Sequence, residues 1–239
     1  MRVIVMTSDN YLWALRPFCY LFNIYWSSLQ PVLVVGYAKP DFPLPSNFEF
    51  MSVGPQTGPE QWSGTLIAAL NHISDSHFVL MLEDYWLQRT VDHVGIQGLT
   101  NYCQMHSEVI RLDLTDDRLH ARGDARDARD YEPWGHYDLI ITTNDFQYQF
   151  SIQAGIWNKQ HMLNLLQPGK SPWEVELYTK VPDGLVVLGT RQFPLRYANA
   201  LLKGKFIEKQ WARIPEEHRK LIIDSGWLKE AIYETGITG

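Results

Sequence analysis

The run His77-Phe78-Val79-Leu80-Met81-Leu82 is apolar without a break after its first residue, and it stops at Glu83-Asp84. Neighbouring side chains on a strand point to opposite faces, so such a run needs cover on both sides, the situation of a central strand in an α/β protein. Val3 to Met6 and Pro31 to Gly36 repeat the pattern, and Phe48 to Val53 repeats it more weakly. Helical stripes separate them: Phe18, Leu21, Phe22 and Tyr25 after Pro17, then Trp62, Leu66, Ala69, Leu70 and Ile73. This order of elements predicts right-handed crossovers and an α/β fold, a mainly parallel central sheet flanked by helices.

A chain of 239 residues with 45% apolar and 20% charged residues can build a sizeable core and is not a disordered, collagenous or coiled-coil chain. We expect one domain over residues 1–239, divided into a first half (1–115) and a second β/α half (116–239). The net charge of −6 argues against a surface that clings everywhere to nucleic acid or anionic lipid. Two cysteines, Cys19 and Cys103, make neither a disulfide framework nor a cysteine metal site. The most apolar early stretch, Tyr11 to Trp26, is broken by Arg16, Pro17 and Asn23, so no bilayer-spanning helix is expected, and Val3 to Met6 is too short for a signal-peptide core. These features suggest the cytoplasm.

The second half is less regular. A helix from Val94 to His106 precedes a strand from Val109 to Leu114, and the charged run Asp116 to Glu132 reads as a surface loop. Tyr137 to Thr143 and Phe150 to Trp157 read as strands, and Met162 to Leu166 as a helix ended by Pro168-Gly169. Trp173 to Tyr178, followed by Asp183-Gly184 and then Leu185 to Leu188, has the pattern of a hairpin. Amphipathic pieces follow at Phe206 to Trp211 and Arg219 to Ile232.

Ligands of open parallel sheets collect at the carboxyl ends of the strands. Glu83 and Asp84 occupy such an end, where two carboxylates against a core need a cation, a donor or water. Mg²⁺ and Mn²⁺ take oxygen ligands and are usually held by one or two carboxylates plus substrate phosphates, so a divalent ion with a diphosphate-bearing ligand suits the pair. The plain structural alternative is a pair of acids that caps a helix or faces water. Neither G-x-G-x-x-G nor a P-loop stands in a strand-to-helix turn, which removes the main support for dehydrogenase and NTPase readings.

A first strand ending in Thr7-Ser8-Asp9, the Trp62-Ser63 helix, the strand ending in Leu82-Glu83-Asp84-Tyr85 and the later Trp173-Glu174-Val175-Glu176 together resemble small GT-A-type glycosyltransferases of bacterial polysaccharide clusters and phages. The similarity runs from about Met1 to Lys205. It implies that Thr7, Ser8 and Asp9, with Trp62 and Ser63, belong to the side that holds a nucleotide-sugar donor. It also implies that Glu83-Asp84 stands in place of the D-x-D metal motif. No aspartate lies two residues before Asp84, so either one carboxylate ligates the ion or metal dependence is reduced. Arg16, near a helix start, is a candidate phosphate contact or an ordinary surface arginine.

The Trp173 segment resembles the acceptor-side acidic segment of that family. A sugar hydroxyl needs a carboxylate base, so Glu174 or Glu176 is the catalytic candidate. The two share a face in a strand and splay about 200° apart in a helix. Departing nucleoside diphosphate gains charge that a metal or cations must stabilise, and a base on the opposite face of the sugar gives inversion. The eight histidines form no metal spacing; His136 can line a site, while His93 and His161 read as surface or packing residues. Trp134, Trp157 and Trp173 can stack on sugars or anchor the core.

From Arg191 to Lys220 eight Lys/Arg residues face three acids, which can steer an anionic partner. The expected acceptor is a saccharide or glycoconjugate. A second reading is a phage-type DNA modification enzyme that glycosylates hydroxymethylated bases and contacts phosphates through residues 191–220 and Arg118, Arg122, Arg126 and Arg129. Interleaved Asp124, Asp127 and Asp130 leave that arginine run nearly neutral. A third is a non-catalytic nucleotide- or carbohydrate-binding protein.

Overall fold

The computed structural model describes residues 1–119, 128–142, 148–202 and 205–228. The chain order is β1 (Arg2–Met6), α1 (Leu15–Phe22), β2 (Val32–Gly36), β3 (Phe48–Ser52), α2 (Gln61–His72), β4 (His77–Leu82), β5 (Tyr85–Leu87), α3 (His93–Met105) and β6 (Val109–Asp113). There follow β7 (Arg129–Trp134), β8 (Tyr137–Ile141), β9 (Gly155–Asn158), α4 (Lys159–Leu165), α5 (Pro172–Tyr178) and β10 (Val186–Thr190). The chain continues through β11 (Tyr197–Asn199), β12 (Leu201–Leu202), β13 (Lys205–Phe206), α6 (Glu208–Trp211) and α7 (Glu216–Asp224).

Among the described residues, one nine-stranded sheet has the order β3-β2-β1-β4-β9-β6-β10-β8-β7. β8 and β9 run against the other seven strands, so the sheet is parallel in its main direction and mixed in its pairings. The expected α/β architecture is therefore present, with strands from both sides of Thr115 in the same sheet.

Alternation along the strands divides the core. On β1, Val3 and Val5 face Phe18 and Phe22 of α1 and Tyr102 of α3, whereas Ile4 and Met6 face Leu66 and Leu70 of α2. Each fully buried side chain of this size contributes roughly 1.5–3 kcal/mol relative to exposure. Pro17 lies in the first turn of α1, and a π-helical turn, Asn23–Ser27, carries the helix on to buried Trp26.

Several sequence expectations need correction. Trp173 to Tyr178 is not a strand but the body of α5: Ser171 Oγ accepts the Glu174 N–H, the Glu174 carboxylate accepts the Ser171 N–H at 2.9 Å, and Pro172 fills the first turn. That capping box outweighs the alternation of the sequence. Asp183-Gly184 consequently turns a helix into β10 and is no hairpin. Only Gly155 to Trp157 of the Phe150–Trp157 run is strand; Phe150 is buried from a turn and Ile152 from the irregular stretch after it, so their apolarity reports burial rather than extension. The Asp116–Glu132 run is not all surface loop, because Arg118 is buried and Arg129 to Glu132 belong to β7. β7 is an exposed edge strand, so it lacks an apolar stripe by which to be recognised. Arg122, Asp124, Arg126, Asp127 and Thr143 lie outside the described residues, as does the end of the Arg219–Ile232 piece.

Candidate functional site

The β1 and β4 strands end level. Met6 pairs with Leu82, which sets Thr7-Ser8 beside Glu83-Asp84. The Glu83 carboxyl group is buried at the junction of the two tips. Burial and then the charge of Asp84 push the Glu83 carboxyl well above the usual carboxylate range, against the pull of nearby backbone N–H groups. Thr7 is buried against the tip of β2, where a Cβ on Gly36 would lie 2.6 Å from Thr7 Cγ2, so this approach needs glycine. Asp9 accepts the Ala38 N–H at 2.9 Å and donates its own N–H to Gln56 at 3.0 Å, which ties the loops after β1, β2 and β3 together.

The other residues expected on the donor side are placed differently. The Arg16 guanidinium lies over the rings of Phe42 and Trp227, at 5.2 and 5.4 Å. Trp62 packs on the α2 face of the core. Ser63 is buried, its hydroxyl accepts the Lys170 N–H at 2.8 Å, and its own N–H donates to Lys170 O at 3.0 Å. Arg16, Trp62 and Ser63 make these contacts within the fold, and Thr7, Ser8 and Asp9 form the tip beside Glu83.

Asp84 is half-buried, and burial pushes its carboxyl up to about 7. Its carbonyl accepts the Ala200 N–H at 3.1 Å. In the amide orientation that its surroundings require, Asn199 donates to Asp84 Oδ2 and to Leu201 O, both at 2.8 Å. β11 pairs antiparallel with β5 and lies across the sheet's carboxyl edge, fastened by Tyr197 stacked on Tyr85. The Tyr197 hydroxyl donates to Gln153 Oε1. Burial, followed by the fields of Asp113, Asp117 and Asp84, drives the Tyr197 phenol well above its ordinary range. The Tyr85 phenol rises similarly through burial, followed by the fields of Tyr197, Asp84, Glu176 and Asp117.

The tip of β6 supplies groups of which our sequence reading singled out only Arg118, as a phosphate contact. Buried Asp113 lies 3.4 Å from Arg111 and 3.8 Å from Arg118, and it accepts the Thr115 N–H and hydroxyl at 3.1 and 2.9 Å. Arg118 grips Asp117 at 2.6 Å and is braced by Gln149 and by Tyr148 O, both at 2.9 Å. A Cβ on Gly189 would come 2.7 Å from Arg118 Cγ, so glycine makes room for this buried stem. Arg111 donates to Gln153 O at 3.1 Å. Burial pushes Asp113 up and Arg111 down, and each opposes the other's shift. The rule that picked out Glu83-Asp84, acids at the exit of an apolar strand, applies equally to Asp113 and Asp117.

Beside the β6 tip and β11 opens a cleft of about 760 Å³, lined among others by Gln88, Asp117, Gln153, Arg196, Asn199 and Arg213. Asp84 meets it through Asn199. Glu176 accepts the Ile152 N–H at 2.9 Å and adds to the field on Tyr85, whereas both Glu174 contacts to Ser171 belong to the helix cap. Ser171 and Lys170 hold the Glu174 carboxyl below the usual range. Among the aromatic candidates Trp157 is buried, Trp134 donates to Gly98 O at 2.8 Å, and Trp173 is 57% exposed. His136 lies 2.6 Å from Asp92, and His161 lies 2.7 Å from Ser107 O.

The basic segment is dispersed. Arg191 pairs with Asp130 and Lys220 with Asp224, both at 2.7 Å, while Arg196 and Arg213 face the cleft. Lys203 lies outside the described residues. Among the described residues no three His, Cys, Asp or Glu side chains converge as a metal site, and no helix is long and apolar enough to cross a membrane.

No protein-family model matches the sequence, and no curated protein does. Among solved structures the chain is similar to the galactosyltransferase LgtC in complex with donor and acceptor sugar analogs, at 12% identity and a TM-score of 0.40. That match covers 67% of this chain and 58% of the LgtC chain, so this chain spans less than two thirds of that protein. A cytidylyltransferase from Leptospira borgpetersenii serovar Hardjo-bovis matches at 9% identity and a TM-score of 0.43, over 73% of this chain and 67% of its own. S. aureus TarS matches at 10% and 0.45, over 94% and 42%. What the cleft can do follows from its own side chains.

Proposed function

We propose that this chain is a nucleotide-sugar-dependent glycosyltransferase that works in the cleft beside the β6 tip and β11. One observation carries the reading: the level ends of β1 and β4 set Thr7-Ser8 beside Glu83-Asp84, and Asn199, which lines the cleft, donates to Asp84 Oδ2. In this reading the donor and acceptor sides meet near Asp84, beside a polar cleft large enough for a small ligand.

In this reading Thr7, Ser8 and Asp9 border the nucleoside. Asp84 has the hard oxygen chemistry that Mn²⁺ or Mg²⁺ takes and would hold the ion, since Glu83 is the more deeply buried of the two acids. When bound, the ion supplies positive charge to the departing diphosphate. Glu176 takes the proton of the acceptor hydroxyl as the new bond to the anomeric carbon forms and the bond to the diphosphate oxygen breaks. With the base opposite the leaving group, the product is inverted. We assign a saccharide or glycoconjugate as acceptor and a cytoplasmic setting, with Cys19 and Cys103 both buried and unbridged.

The test is a thermal-shift screen of nucleotide sugars with and without Mn²⁺, because a ligand of the native state raises its apparent stability. A donor that stabilises the wild type, turns over with a saccharide and fails with Glu176→Gln supports the reading. Absence of any nucleotide-sugar response would remove it.

A further inference from the structure

Two guanidinium groups face the cleft without a carboxylate partner among the described residues: those of Arg196 and Arg213. The acids around them differ in status. Asp113 and Asp117 are already matched by Arg111 and Arg118, so that buried set is balanced within itself. Asp116 adds one negative charge to the lining. Arg196 is preset: its guanidinium lies 4.4 Å from the centre of the Phe193 ring, and Arg89 holds Phe193 O at 2.8 Å. Arg213 projects from the turn closing α6, where its N–H donates to Gln210 O at 3.1 Å. Asn199 connects the two features, because its amide reaches Asp84 while it lines the same cleft as both arginines.

A guanidinium offers planar, paired donors that match phosphate oxygens and keeps its charge at any working pH. A diphosphate beside Asp84 needs positive charge around it, and the single outward carboxylate there provides none. We propose that Arg196 and Arg213 bind the diphosphate of the donor, so that part of the leaving group's charge is carried by the protein itself. The proposal rests on the glycosyltransferase reading for the identity of the ligand, though not for the anion site. It also explains why the basic segment splits between outward ion pairs and two residues turned inward.

The test measures binding of inorganic pyrophosphate, and of UDP, GDP, CDP and dTDP beside their nucleosides, by calorimetry in EDTA, so that any contribution of an ion is removed. The wild type is expected to bind at least one diphosphate more tightly than its nucleoside, with affinity falling as NaCl rises. Arg196→Gln with Arg213→Gln should weaken diphosphate binding by roughly ten- to a hundredfold and leave nucleoside binding unchanged. The paired lysine substitutions should recover part of the loss. Both arginines are exposed, so the variants should fold, and an unaltered melting temperature verifies it. A diphosphate preference that survives the double glutamine substitution overturns the proposal and leaves the enzyme reading standing. Pyrophosphate binding that is lost in the variant, with no nucleotide bound by either protein, supports the anion site and overturns the donor reading. No binding of any probe overturns both.

Discussion

Tyr85 and Tyr197 stack with ring centres 4.2 Å apart and planes within 12°, pinning β11 across β5 above the sheet's carboxyl edge. The pair decides how firmly Asn199 and Gln153 are presented to the cleft. Tyr197→Phe keeps the stack and loses the hydroxyl bond to Gln153, which should cost about 0.5–1.5 kcal/mol. Tyr197→Ala loses the stack as well and should cost about 3–5 kcal/mol, with a far larger rise in KM for the donor. Urea titration and steady-state kinetics of both variants check this; equal effects would show that the stack contributes nothing.

Glu83 and Asp84 should separate cleanly. Glu83→Gln keeps the shape of this buried side chain, so stability and the Mn²⁺-dependent part of the donor thermal shift should both be retained. Glu83→Ala empties the buried position and should cost about 0.5–3 kcal/mol. Asp84→Asn should abolish the Mn²⁺-dependent part alone. If Glu83→Gln lost it to the same extent, both acids would be ligands.

On α5 the two glutamates have different work. Glu174→Ala removes the side-chain half of the capping box, leaving Ser171 Oγ on the backbone N–H of residue 174, and should cost up to about 1 kcal/mol with turnover nearly unchanged. Glu176→Gln still accepts from Ile152 and should melt like the wild type, yet lower kcat by roughly 10²–10⁴. The opposite pattern would reassign the base.

His77 should make the fold acid-sensitive. It is buried in β4, with Ser76 Oγ 3.1 Å from Nδ1, and burial lowers its pKa below the ordinary value of 6.5. The unfolded chain therefore takes up a proton first as pH falls. The stability in question is complete above about pH 6.5 and is lost on acidification, by up to about 1.4 kcal/mol per pH unit. Melting curves at pH 7.5 and 5.0 should show a smaller drop for His77→Gln than for the wild type. Identical drops would acquit this histidine.

How much the sequence revealed varied with the cause of each pattern. Central strands such as Val3 to Met6 and His77 to Leu82 were legible because burial on both faces leaves no polar position. α5 was misread because its apolar alternation is short, whereas its Ser171-Pro172-x-Glu174 start, a local hydrogen-bonding signal, was present all along. Glu83-Asp84 was found by its place after a strand, but that it lies level with Thr7-Ser8 depends on register between β1 and β4, which no local pattern encodes. Tyr197 and Asn199 were invisible for a related reason: β11 spans three residues, and its value lies in crossing β5 more than a hundred positions upstream.

β9 runs backward between β4 and β6, with Gly155 opposite Leu80 on one side and Asp113 on the other. The exits of β4 and β6 are thus held two interstrand spacings apart, about 9.6 Å, by main-chain hydrogen bonds. The aperture is a property of topology: point substitutions can change which groups look into it, but only the gain or loss of a whole strand would change its width.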